Sequence, residues 1–298
     1  MMANVNVDMS QLPKPAVIEE LDYEQILQEW VARYKELDPD YQAVNESDPV
    51  YKLMEVAAFR EMVLRQRVND GAHATMLAYA IDEDLDVLGA NFDVKRLVID
   101  EGDPDAVPPR PRVMESNEAY RYRIQLSNRA KNTAGSEDDY EFFALSADGR
   151  VKSVRSFSPK GTLTVIVSVL SHEGNGTASA ELLQIVENNL NPKGTRPLSD
   201  EVVVQGATIT EFAVVAELEL FPGPDEAEVL KASRKQLDKW LADSHRQGLD
   251  LTLDGFYASL RVPGVYKVHL ASPAADIIND QFSAGYASGI TLTARVTT

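Results

Sequence analysis

The spacing of apolar positions changes along this chain. In its first third they recur in steps of three and four residues; beyond the middle they alternate or run together in short β-branched stretches. From Tyr23, the sequence YEQILQEWVARYKEL sets Ile26, Leu27, Trp30, Val31, Tyr34 and Leu37 at helical spacing. Asp22 is a good N-cap with Gln25 at the capping-box position, and Asp38-Pro39-Asp40 predicts the stop. A second helix begins with Asp48 as N-cap and Pro49 at the first helical position. Leu53, Met54, Val56, Ala57, Phe59, Met62, Val63 and Leu64 give it more apolar surface than one stripe needs. Glu61 and Arg65 stand four apart in the favourable order. Asn69-Asp70-Gly71 leaves open a stop, a kink or neither, and AHATMLAYA then resumes the helical pattern. A short helix at DLDVLGANF, with Gly89 near its end, closes this region; the segment before it all, SQLPKPAVIEE, reads as extended.

Residues 100–117, DEGDPDAVPPRPRVMESN, are rich in proline and read as a linker. A helix is expected from about Glu118 to Lys131, and Ser136 is placed to cap another over EDDYEFFALSA. RVKSVRSFS and GTLTVIVSVLS predict a strand pair turning at Pro159-Lys160-Gly161. There follow an amphipathic helix at SAELLQIVENNLN, strand at DEVVVQGATITEFAVVAELELF, and a long helix with Pro224 near its start and Gly248 past its end. A short helix at LDGFYASL and strands at GVYKVHLAS and GITLTARV complete the chain. One echo stands out: FFALSADGRVKSVRSFSP (142–159) aligns without a gap to FYASLRVPGVYKVHLASP (256–273), each reading as helix, glycine-containing turn and strand. The expected class is α+β: an N-terminal helical region (1–99), the linker (100–117), and two small α+β units with mixed sheets (118–206 and 207–298).

Composition narrows the function. The net charge of −18 opposes a phosphate-tracking surface, which needs cations to displace counterions, and so argues against nucleic acid. The absence of cysteine excludes disulfides and thiolate chemistry and suits a reducing cytoplasm. The N-terminus lacks the basic and apolar regions of a secretory signal, and no apolar run reaches membrane-spanning length.

Candidate chemistry is sparse. Asp82, Asp84 and Asp86 have the spacing of calcium-loop ligands, but Val87 stands where the loop needs glycine. Glu137, Asp138, Asp139 and Glu141 could pair for glycoside hydrolysis, although acids in a first helical turn are already favoured by the helix dipole. His73, His172, His245 and His269 form no HxxxH or HExxH pair, so no metal or other cofactor is expected. Arg110, Arg112, Arg121, Arg123, Arg129 and Lys131 make a locally basic run that reads as a solvated helix face or a dock for an acidic surface.

Against this blank chemistry, LPKPAVIEELDYEQIL (12–27), residues 46–80, and DLDVLGANFDVKR (84–96) resemble the baseplate J-like proteins of contractile-tailed phages and R-type bacteriocins. MESNEAYRYRIQ, LSADGRV, FPGP (221–224) and VHLASPAADI extend the resemblance collinearly to nearly the whole chain. It implies a structural, non-catalytic wedge subunit, assembled in the bacterial cytoplasm and residing in the baseplate of the particle. In that family two J-like copies join one smaller I-like wedge protein through a shared helical bundle. Neighbouring wedges then close into a ring around the hub, coupled to sheath contraction. Gly71 departs from the family pattern, which has a helix-favouring residue there.

On this reading Leu27, Trp30, Tyr34, Leu53, Phe59 and Met62 are expected to enter the bundle, with an intrachain hairpin core as the alternative. Trp240, Tyr257 and Tyr266, with the strand at 264–271, are expected at contacts between wedges. Two other classes stay open: a tail-associated hydrolase of cell-wall glycan using Glu137 or Glu141, and a small-molecule binding module.

Overall fold

A computed structural model describes residues 9, 12, 13, 15–40, 45–130, 135–192, 197, 199–223 and 225–296. Lys131 and Pro224, read above as a helix end and a helix start, lie outside the described residues, as does the side chain of Arg129. The chain divides into two compact units, residues 1–95 and 96–298. The architecture is α+β with an N-terminal helical region.

In the first unit, α1 (Tyr23–Leu37) packs on α2 (Pro49–Ala74), and α3 (Asp82–Ala90) follows. Asp22 caps α1 by accepting from the Glu24 and Gln25 amides. The Gln25 side chain donates through Nε2 to Glu29 (3.3 Å) rather than closing a reciprocal box with Asp22. Asp48 caps α2 through the Val50 amide. Ile26 and Leu27 meet Met54 and Ala58 in the buried seam, with Val31, Tyr34 and Met62 half-buried around it. Of the outcomes left open at Gly71, no stop occurs: α2 runs through it to Ala74, and beyond Thr75 residues 77–79 form a turn rather than resumed helix. The segment before α1 is not extended throughout, since it turns where the Ile18 amide donates to the Pro15 carbonyl (3.0 Å), and it is tied to α2 by Asn69, which accepts from the Glu19 amide (3.1 Å) and donates to the Glu19 carbonyl (2.9 Å).

The second unit opens with a two-stranded ribbon, β1 (Val98–Asp100) and β2 (Val113–Met114), carrying the proline-rich stretch as its excursion. Its arms are bridged again at Asp103 and Arg110, and the Glu115 amide donates to the Leu97 carbonyl (2.9 Å). The two ends of this stretch are therefore neighbours. Next come α4 (Asn117–Ala130) and α5 (Glu137–Leu145), the latter closed by a full Ser136/Asp139 capping box. The first sheet holds β3 (Val151–Phe157), β4 (Thr164–Ser171) and, after α6 (Ala180–Leu190), β5 (Glu201–Gly206). Val165, Val167 and Val169 of central β4 share a core with Ala144 of α5 and Leu182, Val186 and Leu190 of α6.

The strand stretch read as one run after residue 200 divides between sheets. β5 ends at Gly206 and β6 (Thr208–Leu220) becomes the centre of the second sheet, between β7 (Val265–Ser272) and β8 (Ser283–Val296). Val214, Ala216, Leu218 and Leu220 alternate toward α7 (Glu226–Ser244) and α8 (Leu253–Leu260), the period-two burial of a sheet covered on one face. The opposite face is polar: Arg295 bridges Glu217 (3.3 Å) and Glu219 (3.4 Å), and His269 meets Glu219 (3.1 Å).

The sequence echo maps onto α5–β3 and α8–β7. Both sheets set a central strand between one antiparallel and one parallel neighbour, and β3 and β7 are the antiparallel ones. Chain order differs. The echoing helix and strand precede the central strand in the first sheet and follow it in the second.

Candidate assembly surfaces

At about 100° per residue, the buried residues Met54 and Ala58 and half-buried Met62 occupy one half of α2. Leu53, Val56, Phe59, Val63, Leu64 and Val68 fall in the other half, and all are exposed, Leu53 by 70% and Phe59 by 52%. α2 is thus apolar on two opposite faces, and the described residues cover one. This separates the bundle candidates into two groups. Leu27, Tyr34 and Met62 lie in the α1–α2 seam, whereas Leu53 and Phe59 face outward. Trp30 is exposed by 39%, with its indole held by Glu61 (2.7 Å). Glu61 also takes the expected pair with Arg65, which reaches Glu19 of the segment before α1 (3.6 Å). One carboxylate therefore connects α1, α2 and, through Arg65, the segment before them.

In the second unit the outward candidates lie around β7. Tyr266 is half exposed on this edge strand and meets Phe221 edge-on at 5.3 Å. Tyr257 is exposed on α8. Trp240 points inward, packing edge-on to Phe256 at 4.7 Å over Gly255, where a Cβ would overlap its ring. The half-burial of Trp240 follows from that stacking.

The charged candidates have local structural partners. The basic run is not a solvated face throughout: Arg123 is buried, forking onto both carboxylate oxygens of Glu115 at 2.7 Å each. Its helix turns it inward, where the Arg96 and Arg123 guanidiniums both approach the Tyr120 ring. Arg112 pairs with Glu101 (3.0 Å) and Arg110 with Asp100 (3.9 Å) across the ribbon. Spacing along the sequence could not reveal the Glu115–Arg123 pair, because Glu115 precedes the helix that carries Arg123.

Within the acidic cluster, Asp139 closes its capping box and Glu141 is buried beneath Arg155 (3.5 Å). Burial raises the Glu141 carboxyl above its usual range, and burial with the nearby Glu141 charge pushes the Tyr122 hydroxyl up to about 12. Asp82 and Asp84 lie in the first turn of α3, where the helix dipole favours them. His245 accepts from Lys152 through Nδ1 (3.1 Å) where the two sheets meet; burial first, then the Lys152 charge, holds it down to about 4. Among the described residues no cluster of three or more His, Asp or Glu is arranged to hold a metal, and no helix is long and apolar enough to cross a membrane.

With surfaces rather than a reaction centre on view, comparison with known proteins places the chain. The model of the baseplate J-like N-terminal domain matches residues 46–103, which include all of α2, and that of the central domain matches 132–206. Baseplate protein J of Escherichia phage P2 is 44% identical over 287 residues, covering 94% of this chain and 95% of the phage protein. The chain belongs to the baseplate J-like family and is a structural subunit of a contractile-tail baseplate. A chain from the cryo-EM structure of the anti-feeding prophage baseplate is also similar, at a TM-score of 0.40 and 14% identity, over 60% of this chain and 42% of that one.

Proposed function

We propose that this chain is the repeated subunit of the baseplate wedge, two copies joining one smaller I-like wedge protein. The outward face of α2 enters a helical bundle shared by the three chains. Residues 207–298 then join neighbouring wedges into a ring around the hub, whose rearrangement accompanies sheath contraction. The carrying observation is the second apolar face of α2: six large side chains exposed along one helix, opposite a seam the chain already covers. Such a face is favourable only when covered, and helix packing between chains covers it. The free edge of β7, with Tyr266 and Phe221 beside it, supports the second contact. The role is structural, the subunit is assembled in the bacterial cytoplasm, and it acts in the baseplate.

Co-expression with the smaller wedge protein of the same particle, followed by native mass measurement, tests this directly. A 2:1 complex is expected, and truncation after residue 206, which removes the whole second sheet with its helices, should leave it intact while preventing ring formation. A chain that stays monomeric beside that partner would refute the reading.

A further inference from the structure

The outward face of α2 carries charge as well as apolar surface. Its stripe runs from Phe59 on one flank to Val68 on the other, and Arg60 and Arg67 fall close to its midline. Leu53, Arg60, Arg67 and Ala74 repeat every seven residues, interleaved with Ala57, Leu64 and Gly71: the four-three spacing of a helix–helix seam. Among the described residues neither arginine has an ion-pair partner. The other charges of this helix are engaged: Lys52 with Glu55, Glu61 with Trp30 and Arg65, and Asp70 with Gln66. Two solvated cations therefore sit along the middle of an apolar face, in a unit where carboxylates outnumber lysines and arginines by more than two to one.

Covering this face with a helix takes both guanidiniums out of water. A buried charge without a partner is strongly unfavourable, so the covering surface must bring carboxylates. Accepting that α2 is a bundle helix, we propose that its outward face docks an acidic amphipathic helix, with carboxylates seven residues apart, about 10 Å along its axis, to meet Arg60 and Arg67. A second copy of α2 does not fit, because two such faces would oppose arginine to arginine and every carboxylate of α2 is already engaged. An anionic membrane fits poorly too, since interfacial helices hold their cations on the polar face. Gly71 lies on the same seam, is exposed, and would meet nothing within 4 Å if it carried a Cβ. Nothing among the described residues calls for glycine there, and the covering helix would approach most closely at this turn.

The test titrates the separately purified smaller wedge protein against the full chain, with the melting temperature of each variant measured alone. Arg60→Glu with Arg67→Glu should weaken binding by about a hundredfold or more, leave the melting temperature unchanged, and be partly rescued by lysine at both positions. Gly71→Leu should also weaken binding without unfolding the free chain. If the wild-type chain binds and the double variant binds within about twofold of it, this inference fails while the wedge reading stands. If the wild-type chain does not bind at all, both fail. An arginine-independent dimer of the chain through α2, or sedimentation with phosphatidylglycerol vesicles that requires Arg60 and Arg67, would also overturn it.

Discussion

Removing Arg123 tests whether the base of the second unit is built as described. Arg123 donates from Nε and Nη2 to the two Glu115 oxygens at 2.7 Å each and from Nη1 to Ser146 (3.1 Å); Glu115 also accepts from the Leu97 amide (3.1 Å). The side chains are 4% and 8% exposed, so solvent cannot replace what is lost. In Arg123→Met the Leu97 amide is, among the described residues, the one donor left to the buried Glu115 carboxylate, while Arg96 holds the Glu115 carbonyl. That should cost about 3–5 kcal/mol. Adding Glu115→Met removes the stranded charge, so the double variant should be less destabilised than the two single effects summed, by about 2 kcal/mol or more. Trp30 and Trp240 are the chain's two tryptophans, so in a Trp30→Phe background urea unfolding followed by fluorescence reports the second unit alone. A cost below about 1 kcal/mol for Arg123→Met would match an exposed pair and refute the reasoning.

Three further outcomes follow from the same structure. The depressed pKa of His245 means the unfolded chain takes up its proton more readily, so stability present above pH 6.5 is lost as pH falls toward 4, by at most about 3 kcal/mol. Stability measured from pH 7 to 4.5 should fall less steeply in His245→Gln, and equal slopes would exclude the histidine as the cause. Gly255→Ala should force Trp240 off Phe256, costing about 1–3 kcal/mol and shifting tryptophan emission to the red; unchanged emission would contradict that packing. Asp48→Ala should cost about 1 kcal/mol through the lost cap of α2, read as a lower melting temperature of the first unit.

Local signals carried most of the secondary structure. The caps at Asp22, Asp48 and Ser136 and the turn after Phe157 follow from short-range chemistry, and each appears where the residues place it. What depended on distant partners was harder to read. Proline content made residues 100–117 read as a linker, because composition reports stiffness and not whether two ends are paired; Asp103 with Arg110 and Leu97 with Glu115 decide that. Arg123 read as surface because its partner is on no shared helical face. For α2 the excess apolar width was visible in sequence, yet which half α1 covers was not, so Leu27 and Met62 stood beside Leu53 and Phe59 as equals. Gly71 stayed open in the sequence since one glycine is costly in a helix interior, and the rest of α2 carries the helix through it. The echo between 142–159 and 256–273 marked a real helix–strand corner, while its different place in chain order depends on strand pairing that similarity alone does not encode.

The central claim, that the outward face of α2 is an assembly surface, can be measured at one atom. The chain has no cysteine, so Phe59→Cys creates a single labelling site on that face, and Val107→Cys, at a position 98% exposed on the ribbon, serves as a control. Thiol labelling rates are compared for the free chain and for the wedge purified with its smaller partner. The account expects fast labelling of both sites in the free chain and strong protection of residue 59 alone in the wedge. Equal rates at residue 59 in the two states would contradict it.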